Sequence, residues 1–86
     1  MSAADDLAQA LVAAIQGELA ALEAEDADAI IAASDTKAKA LSDLSAAIAA
    51  GDAPPRPLLE QARDLNSEAI LKSRAKMISV EKRLSA

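Results

Sequence analysis

The 86-residue chain contains no cysteine, no histidine and no aromatic residue, and it has only two glycines and three prolines. Without cysteine, no disulfide supports the fold. The lack of both Cys and His excludes the usual zinc ligand sets and the Ser-His or Cys-His nucleophile pairs. With only Gly17 and Gly51, there is no glycine-rich phosphate loop. We therefore expect no enzymatic activity, no metal, no cofactor and no evident pocket.

Large apolar side chains are also scarce. Of the 45 hydrophobic residues, 24 are alanine, and the other 21 are Leu, Ile, Val and Met. A core of this kind is thin and gains buried area only where helices approach closely. We expect one small domain over residues 1–86, with a stability toward the low end of about 5–15 kcal/mol. So small a core predicts help from a partner or weak self-association.

The net charge of −5 is unevenly distributed. Residues 1–52 hold ten acids and two lysines, a net charge of −8, whereas residues 53–86 hold four acids and seven bases, a net charge of +3. This asymmetry predicts that the basic last third packs on the acidic remainder, through residues such as Arg63, Lys72 and Lys76. The alternative is that the basic residues form a binding face. Nucleic acid is not expected as a partner, because the chain is acidic overall and has no aromatics for base stacking.

The first residues, MSAADDL, are acidic, where a secretory signal has a basic segment before an apolar run. No apolar run approaches the ~18 residues of a membrane span. These features predict a cytoplasmic protein without membrane insertion.

Apolar residues recur at helical spacing in three segments, which predicts an all-α fold. We expect helices near 3–24, 28–50 and 57–84, forming an antiparallel three-helix bundle or a coiled-coil-like hairpin plus a third helix. The predicted seam of the first helix is Leu7, Leu11, Ile15, Leu19 and Leu22. That of the second is Ile30, Ser34, Lys37, Leu41, Leu44 and Ile48. That of the third is Leu58, Ala62, Leu65, Ala69, Ser73, Met77, Val80 and Leu84. Lys37 is expected to extend its ammonium to solvent from the edge of its seam.

Capping and helix-breaking residues mark some of the predicted helix ends more clearly than others. Ser2 or Asp5 is a candidate N-cap for the first helix, and Asp26 or Asp28 for the second. No Gly or Pro forces a break between these helices, so one long curved helix to residue 50 is the alternative. Gly51 is the predicted left-handed residue that ends the second helix. Residues 52–57 form a proline-rich linker that reverses the chain, with Arg56 extended because it precedes a proline. Gly17 lies off its seam, where close helix packing would explain it.

Two large apolar residues of the last helix do not fit its seam. Leu71 and Ile78 share a line roughly 150° away from the stripe, which Ser67 and Arg74 complete. A helix with a second apolar face either has something else to bind or lies deeper in the protein than a surface helix. Asn66 either bonds to a neighbouring helix or contacts a client. The predicted partner-binding residues are Arg63, Asn66, Ser67, Leu71, Arg74 and Ile78.

Three segments together resemble a known family. The run Gly17 to Leu22 with the acidic turn that follows it, Lys37 before the Leu41/Leu44 pair, and Arg63-Asp64-Leu65-Asn66 are similar in order and spacing to motifs of the FlgN-like flagellar export chaperones. The similarity covers roughly residues 7–84. The sequence departs from the family at Ala69, where a second asparagine is frequent, and the long polar C-terminal tail of many members has no counterpart.

The resemblance implies a cytoplasmic chaperone of flagellar type III secretion. Such proteins bind flagellar hook-associated proteins, which form the hook–filament junction, prevent their premature assembly and deliver them to the export apparatus. An amphipathic client helix would supply anchors at i, i+3, i+4 and i+7. The alternative is a self-associating helical adaptor or structural protein without a secretion client. A small regulator that sequesters another protein, such as a sigma-factor antagonist, is a third hypothesis.

Overall fold

The computed structural model describes residues 3–85, which form three α-helices and no strand. The helices are α1 (Ala3–Ala24), α2 (Ala27–Ala49) and α3 (Arg56–Ser85). The predicted all-α three-helix fold is confirmed, and each helix end lies within one residue of its predicted position.

A tight turn separates α1 from α2. Glu25 adopts a left-handed backbone conformation with φ 54°. The backbone amides of Glu25 and Asp26 donate to the carbonyls of Leu22 and Ala21 at 3.1 and 3.2 Å, which closes α1 with a Schellman motif. The Asp26 carboxylate then accepts a hydrogen bond from the Ala29 amide at 3.2 Å and caps α2. The alternative of one long helix is therefore wrong.

The second connection is shorter than expected. Gly51 adopts the predicted left-handed conformation, with φ 93°. Because Arg56 is already helical, the linker spans residues 52–55 rather than 52–57, and the expectation that Arg56 would be extended is wrong. Pro57 lies in the first turn of α3, where its missing amide proton costs no helical hydrogen bond.

A side chain from a distant part of the sequence caps the start of α1. The buried Ala4 amide donates to the Asp52 carboxylate at 3.2 Å, which satisfies one of the free amides of the first turn. Asp5 lies inside α1 and is not its N-cap. The other candidate, Ser2, lies outside the described residues. The contact also joins the end of α2 to the start of α1, so these helices are antiparallel.

The first helix is the centre of the fold. Within residues 3–85, α1 contacts both other helices, whereas no Cα atom of α2 lies within 8 Å of one in α3. Nine residues of α1 are buried, against two in each of the others. The predicted α1 seam is confirmed, because Leu11, Ile15 and Leu22 are buried and Leu7 and Leu19 half-buried.

The seam of α2 is only partly buried. Leu44 is 2% exposed and packs on α1, but Leu41 and Ile48 are 52% and 43% exposed. They lie on the side of α2 that faces α3 and, within residues 3–85, no Cα atom of α3 lies within 8 Å of one in α2. The prediction that they belong to the core is wrong, because periodicity identifies an apolar face without identifying the helix that covers it.

The seam of α3 is buried only in its first half. Ala62 and Ala69 are buried against α1, while Met77, Val80 and Leu84 are exposed, Leu84 by 83%. At 30 residues, α3 is longer than the 22-residue α1 against which it packs. The last turns of α3 therefore have less of α1 to cover them, and the prediction that these three residues are core is wrong.

A candidate helix-binding groove

An open groove runs between α2 and α3, with α1 as its floor. Its larger part, here called the basal cavity, has a volume of about 440 Å³. The residues that line it are Leu11 and Ile15 of α1, Leu41, Leu44, Ser45 and Ile48 of α2, with Lys37, and Leu59, Ala62, Arg63 and Asn66 of α3. The expectation that the chain would offer no pocket is wrong.

The groove continues toward the α1–α2 turn. A second hollow, the distal cavity, has a volume of about 270 Å³. The residues that line it are Glu18, Leu22, Ile30, Ser34, Lys37, Ala69, Ile70, Ser73 and Arg74. Beyond it, an apolar depression borders Met77 and Val80. Leu59 and Met77 are 18 residues apart, so the groove is about 27 Å long, which is the length of a helix of about five turns.

A polar bridge divides the two cavities and joins all three helices. The Lys37 ammonium of α2 donates to the Glu18 carboxylate of α1 at 2.9 Å and to the Asn66 side-chain oxygen of α3 at 3.2 Å. The Ser34 hydroxyl donates to the other Glu18 oxygen at 3.1 Å. Glu18 is 7% exposed, so its charge requires these partners. Lys37 thus serves as a cross-helix donor, and the expectation that it extends to solvent is wrong.

The charges along the groove are mostly positive. Arg63 lines the basal cavity, Arg74 the distal cavity and Lys76 the apolar depression beyond it. Arg63 pairs with its neighbour Asp64, whereas Arg74 has no ion-pair partner within residues 3–85. The α3 side of the groove therefore presents a positively charged edge.

Two ion pairs join the second half of α3 to the end of α1 and to the turn that follows it. Lys72 donates to the Glu23 carboxylate at 2.8 Å, and Arg83 to the Glu25 carboxylate at 2.6 Å. Each hydrogen-bonded cation holds the pKa of its carboxyl below the ordinary value of 4.5, and the charge of Lys76 acts in the same direction on both. Glu23 in turn raises the pKa of Lys72 above 10.5. The predicted attraction between the basic last third and the acidic remainder is present, through Lys72 and Arg83.

The structure separates the six predicted partner-binding residues into two groups. Arg63 and Asn66 line the basal cavity and Arg74 lines the distal cavity. Ser67, Leu71 and Ile78 are exposed on the outer side of α3, Leu71 by 65% and Ile78 by 53%.

The α2 wall of the groove is not apparent from the sequence pattern. Leu41 and Ile48 repeat at helical spacing with Leu44, which predicts core positions for both. The one signal that could have identified them is the scarcity of large residues on the facing seam of α3, where Ala62 and Ala69 leave space. Within residues 3–85, no group of acidic side chains is arranged to hold a metal ion.

Comparison with protein-family models, with curated proteins and with solved structures finds no match to this chain. Among the described helices, α1 is long and apolar enough to cross a membrane by length and composition. This differs from the expectation that no segment approaches that length. The buried central helix of a helical bundle meets the same criteria of length and composition.

Proposed function

We propose that this protein is a helix-binding chaperone that holds one amphipathic helix of a client protein in the groove between α2 and α3. The observation that carries the proposal is the groove itself. Its floor is the buried face of α1, and its walls present the exposed side chains of Leu41, Ile48 and Ile70. Three helices with one open side resemble a four-helix bundle that lacks a helix, and a client helix would complete it.

The resemblance to the FlgN-like chaperones suggests the class of client. Clients would be flagellar hook-associated proteins, which the chaperone would keep unassembled in the cytoplasm and transfer to the export apparatus. Glu18, Lys37 and Asn66 each belong to a different one of the three segments that carry the resemblance, and in the polar bridge Lys37 donates to both of the others. A common position at the centre of the groove supports a shared role in binding.

Client binding can be measured by a signal from the client alone. Because the protein contains no Trp, Tyr or Phe, a peptide with one Trp supplies the entire fluorescence above 290 nm. The peptide would be the terminal helical segment of a hook-associated protein, with Trp placed at one end. Replacing Leu41 and Ile48 together by Ser should weaken its binding at least tenfold, or about 1.4 kcal/mol.

The matched control replaces Leu71 and Ile78 together by Ser. Both pairs consist of one Leu and one Ile, seven residues apart on one helix and similarly exposed in the free protein. If the client occupies the groove, this variant, here called the outer-line variant, should bind the peptide like the wild type. If the Leu71/Ile78 variant lost binding while the Leu41/Ile48 variant bound normally, the client would lie on the outer side of α3. Normal binding in both variants would contradict the proposal as a whole.

The alternative function is a self-associating helical adaptor, and one observation favours it. Leu71, Ile78 and Leu84 are exposed on α3, where a second copy could cover them. Sedimentation equilibrium separates the two functions. A concentration-dependent dimer that the outer-line variant abolishes would favour the adaptor, whereas a monomer that binds the peptide would favour the chaperone.

A further inference from the structure

Lys37 lies between the basal and the distal cavity, where the apolar face of a client helix would meet its charge. Its side chain is 27% exposed and borders both the basal and the distal cavity. An ammonium group has three N–H donors. Two of them are used by Glu18 and Asn66, and the third has no partner within residues 3–85.

A helix laid along the groove would cover this third donor. An apolar side chain opposite Lys37 would then remove water from a charged donor without replacing the lost hydrogen bond, which is unfavourable. A carboxylate would accept the bond, but it would lie beside Glu18, whose carboxylate is already 2.9 Å from the same ammonium. An uncharged acceptor avoids both penalties.

We infer that the client helix carries an uncharged hydrogen-bonding residue, Asn, Gln, Ser or Thr, at the centre of its apolar face, where it accepts a hydrogen bond from Lys37. This inference rests on the proposed function and specifies the partner of the same groove. The central residue sets the register of the client, as a single buried asparagine does in a coiled coil. Apolar anchors one and two turns away on each side would enter the basal and distal cavities.

Charge complementarity identifies the other features of the occupant. Arg63, Arg74 and Lys76 border the groove on the α3 side, so the client flank that faces α3 is acidic. A second copy that presented its own α3 would bring a helix of seven bases and four acids against these cations. Like-charge repulsion therefore disfavours a second copy that docks through its α3, and we assign the occupant as an acidic amphipathic helix of another protein.

The test uses three designed peptides of about 20 residues that differ only at the central position, which is Gln, Leu or Glu. All three share apolar anchors on both sides, an acidic flank and one terminal Trp. With the wild-type protein, the Gln peptide should bind at least tenfold more tightly than the Leu peptide and more tightly than the Glu peptide. Equal affinities for the Gln and Leu peptides, or tightest binding of the Glu peptide, would overturn the inference.

The protein side of the test replaces Glu18 and Lys37 together by Met, because removing Lys37 alone leaves a buried carboxylate without its cation. The preference should then reverse, with the Leu peptide binding more tightly than the Gln peptide. A variant that keeps the Gln preference would overturn the inference. If the variant does not fold, as judged by circular dichroism, the wild-type series decides alone.

Failure of every peptide to bind would contradict the proposed function, whereas binding without a central preference would contradict only this inference. A wild-type protein that is dimeric through its groove would contradict the choice of occupant.

Discussion

At the scale of one residue, Lys37 has the position on α2 that the sequence pattern predicts, but it does not have the predicted role of extending to solvent. Both of its hydrogen-bond partners are distant in the sequence. Glu18 precedes Lys37 by 19 residues, and Asn66 follows it by 29 residues. Helical periodicity describes one helix at a time and contains no information about such a pair. The cross-helix bond expected for Asn66 as one of two alternatives is present in the structure.

The stability of the polar bridge should depend on keeping its charges paired. Lys37→Met should lower the free energy of unfolding by up to about 3 kcal/mol, because it leaves the buried Glu18 carboxylate uncompensated. Replacing both Glu18 and Lys37 by Met should recover most of this loss, since no charge then remains buried. Thermal unfolding by circular dichroism measures both variants, at about 4–8 °C per kcal/mol for a domain of this size. A double variant no more stable than Lys37→Met would show that the pair is not coupled in this way.

The two glycines should respond in opposite directions to the same substitution. Gly51 is left-handed and Gly17 lies within α1, and an added Cβ would meet nothing within 4 Å at either position. The idea that close packing requires Gly17 is therefore wrong. Gly51→Ala should destabilise the protein by about 1–2 kcal/mol through its backbone conformation. Gly17→Ala should stabilise it by up to about 1 kcal/mol.

Urea unfolding of the two alanine variants beside the wild type measures both effects. A stabilising Gly51→Ala would contradict the left-handed end of α2, and a destabilising Gly17→Ala would indicate a helix packed closely against α1 at that point.

At the scale of the helix, α3 is fastened by different interactions along its length. Its first half buries Ala62 and Ala69 against α1, whereas its second half is held by the Lys72–Glu23 and Arg83–Glu25 pairs. The charge asymmetry of the sequence predicted such a contact. It could not select the partners, because charge composition does not specify which cations reach α1. Arg63, one of the three expected contributors, pairs instead with its neighbour Asp64.

These ion pairs predict a characteristic dependence on pH. The pKa values of Glu23 and Glu25 are lowered in the folded protein, so their contribution is complete above about pH 4.5 and is lost as the pH falls through the folded values. The pKa of Lys72 is raised, so its contribution is complete below about pH 10.5 and is lost as the pH rises beyond it. Stability from the pairs is therefore greatest between these limits.

Melting temperatures from pH 6 to pH 3 test this dependence at low salt. The wild type should lose more stability on acidification than a variant with Glu23→Gln and Glu25→Gln. Salt at 0.5 M should shrink the difference at pH 6, because exposed pairs are screened. Identical acid profiles for the two proteins would mean that these pairs do not hold α3.

At the scale of the whole molecule, the number and the ends of the helices were predictable, and their arrangement was not. The stripes, the acidic turn and Gly51 act locally and are visible in sequence. The central place of α1 depends on all three helices at once. The sequence pattern on α2 is the same whether Leu41 and Ile48 are covered by a helix of this chain or by a helix of a partner. It therefore predicts core positions for residues that line the groove. The predicted client line through Leu71 and Ile78 stays a prediction beside it.

The most direct test of a client helix in the groove is methyl nuclear magnetic resonance of the protein during titration with the Gln-centred peptide. We expect shifts and intermolecular nuclear Overhauser effects at Leu41, Ile48 and Ile70, on the two walls of the groove. The methyl signals of Leu71 and Ile78, on the outer side of α3, should remain unchanged. Shifts confined to Leu71 and Ile78, with the wall residues unchanged, would show that the groove is not where the client binds.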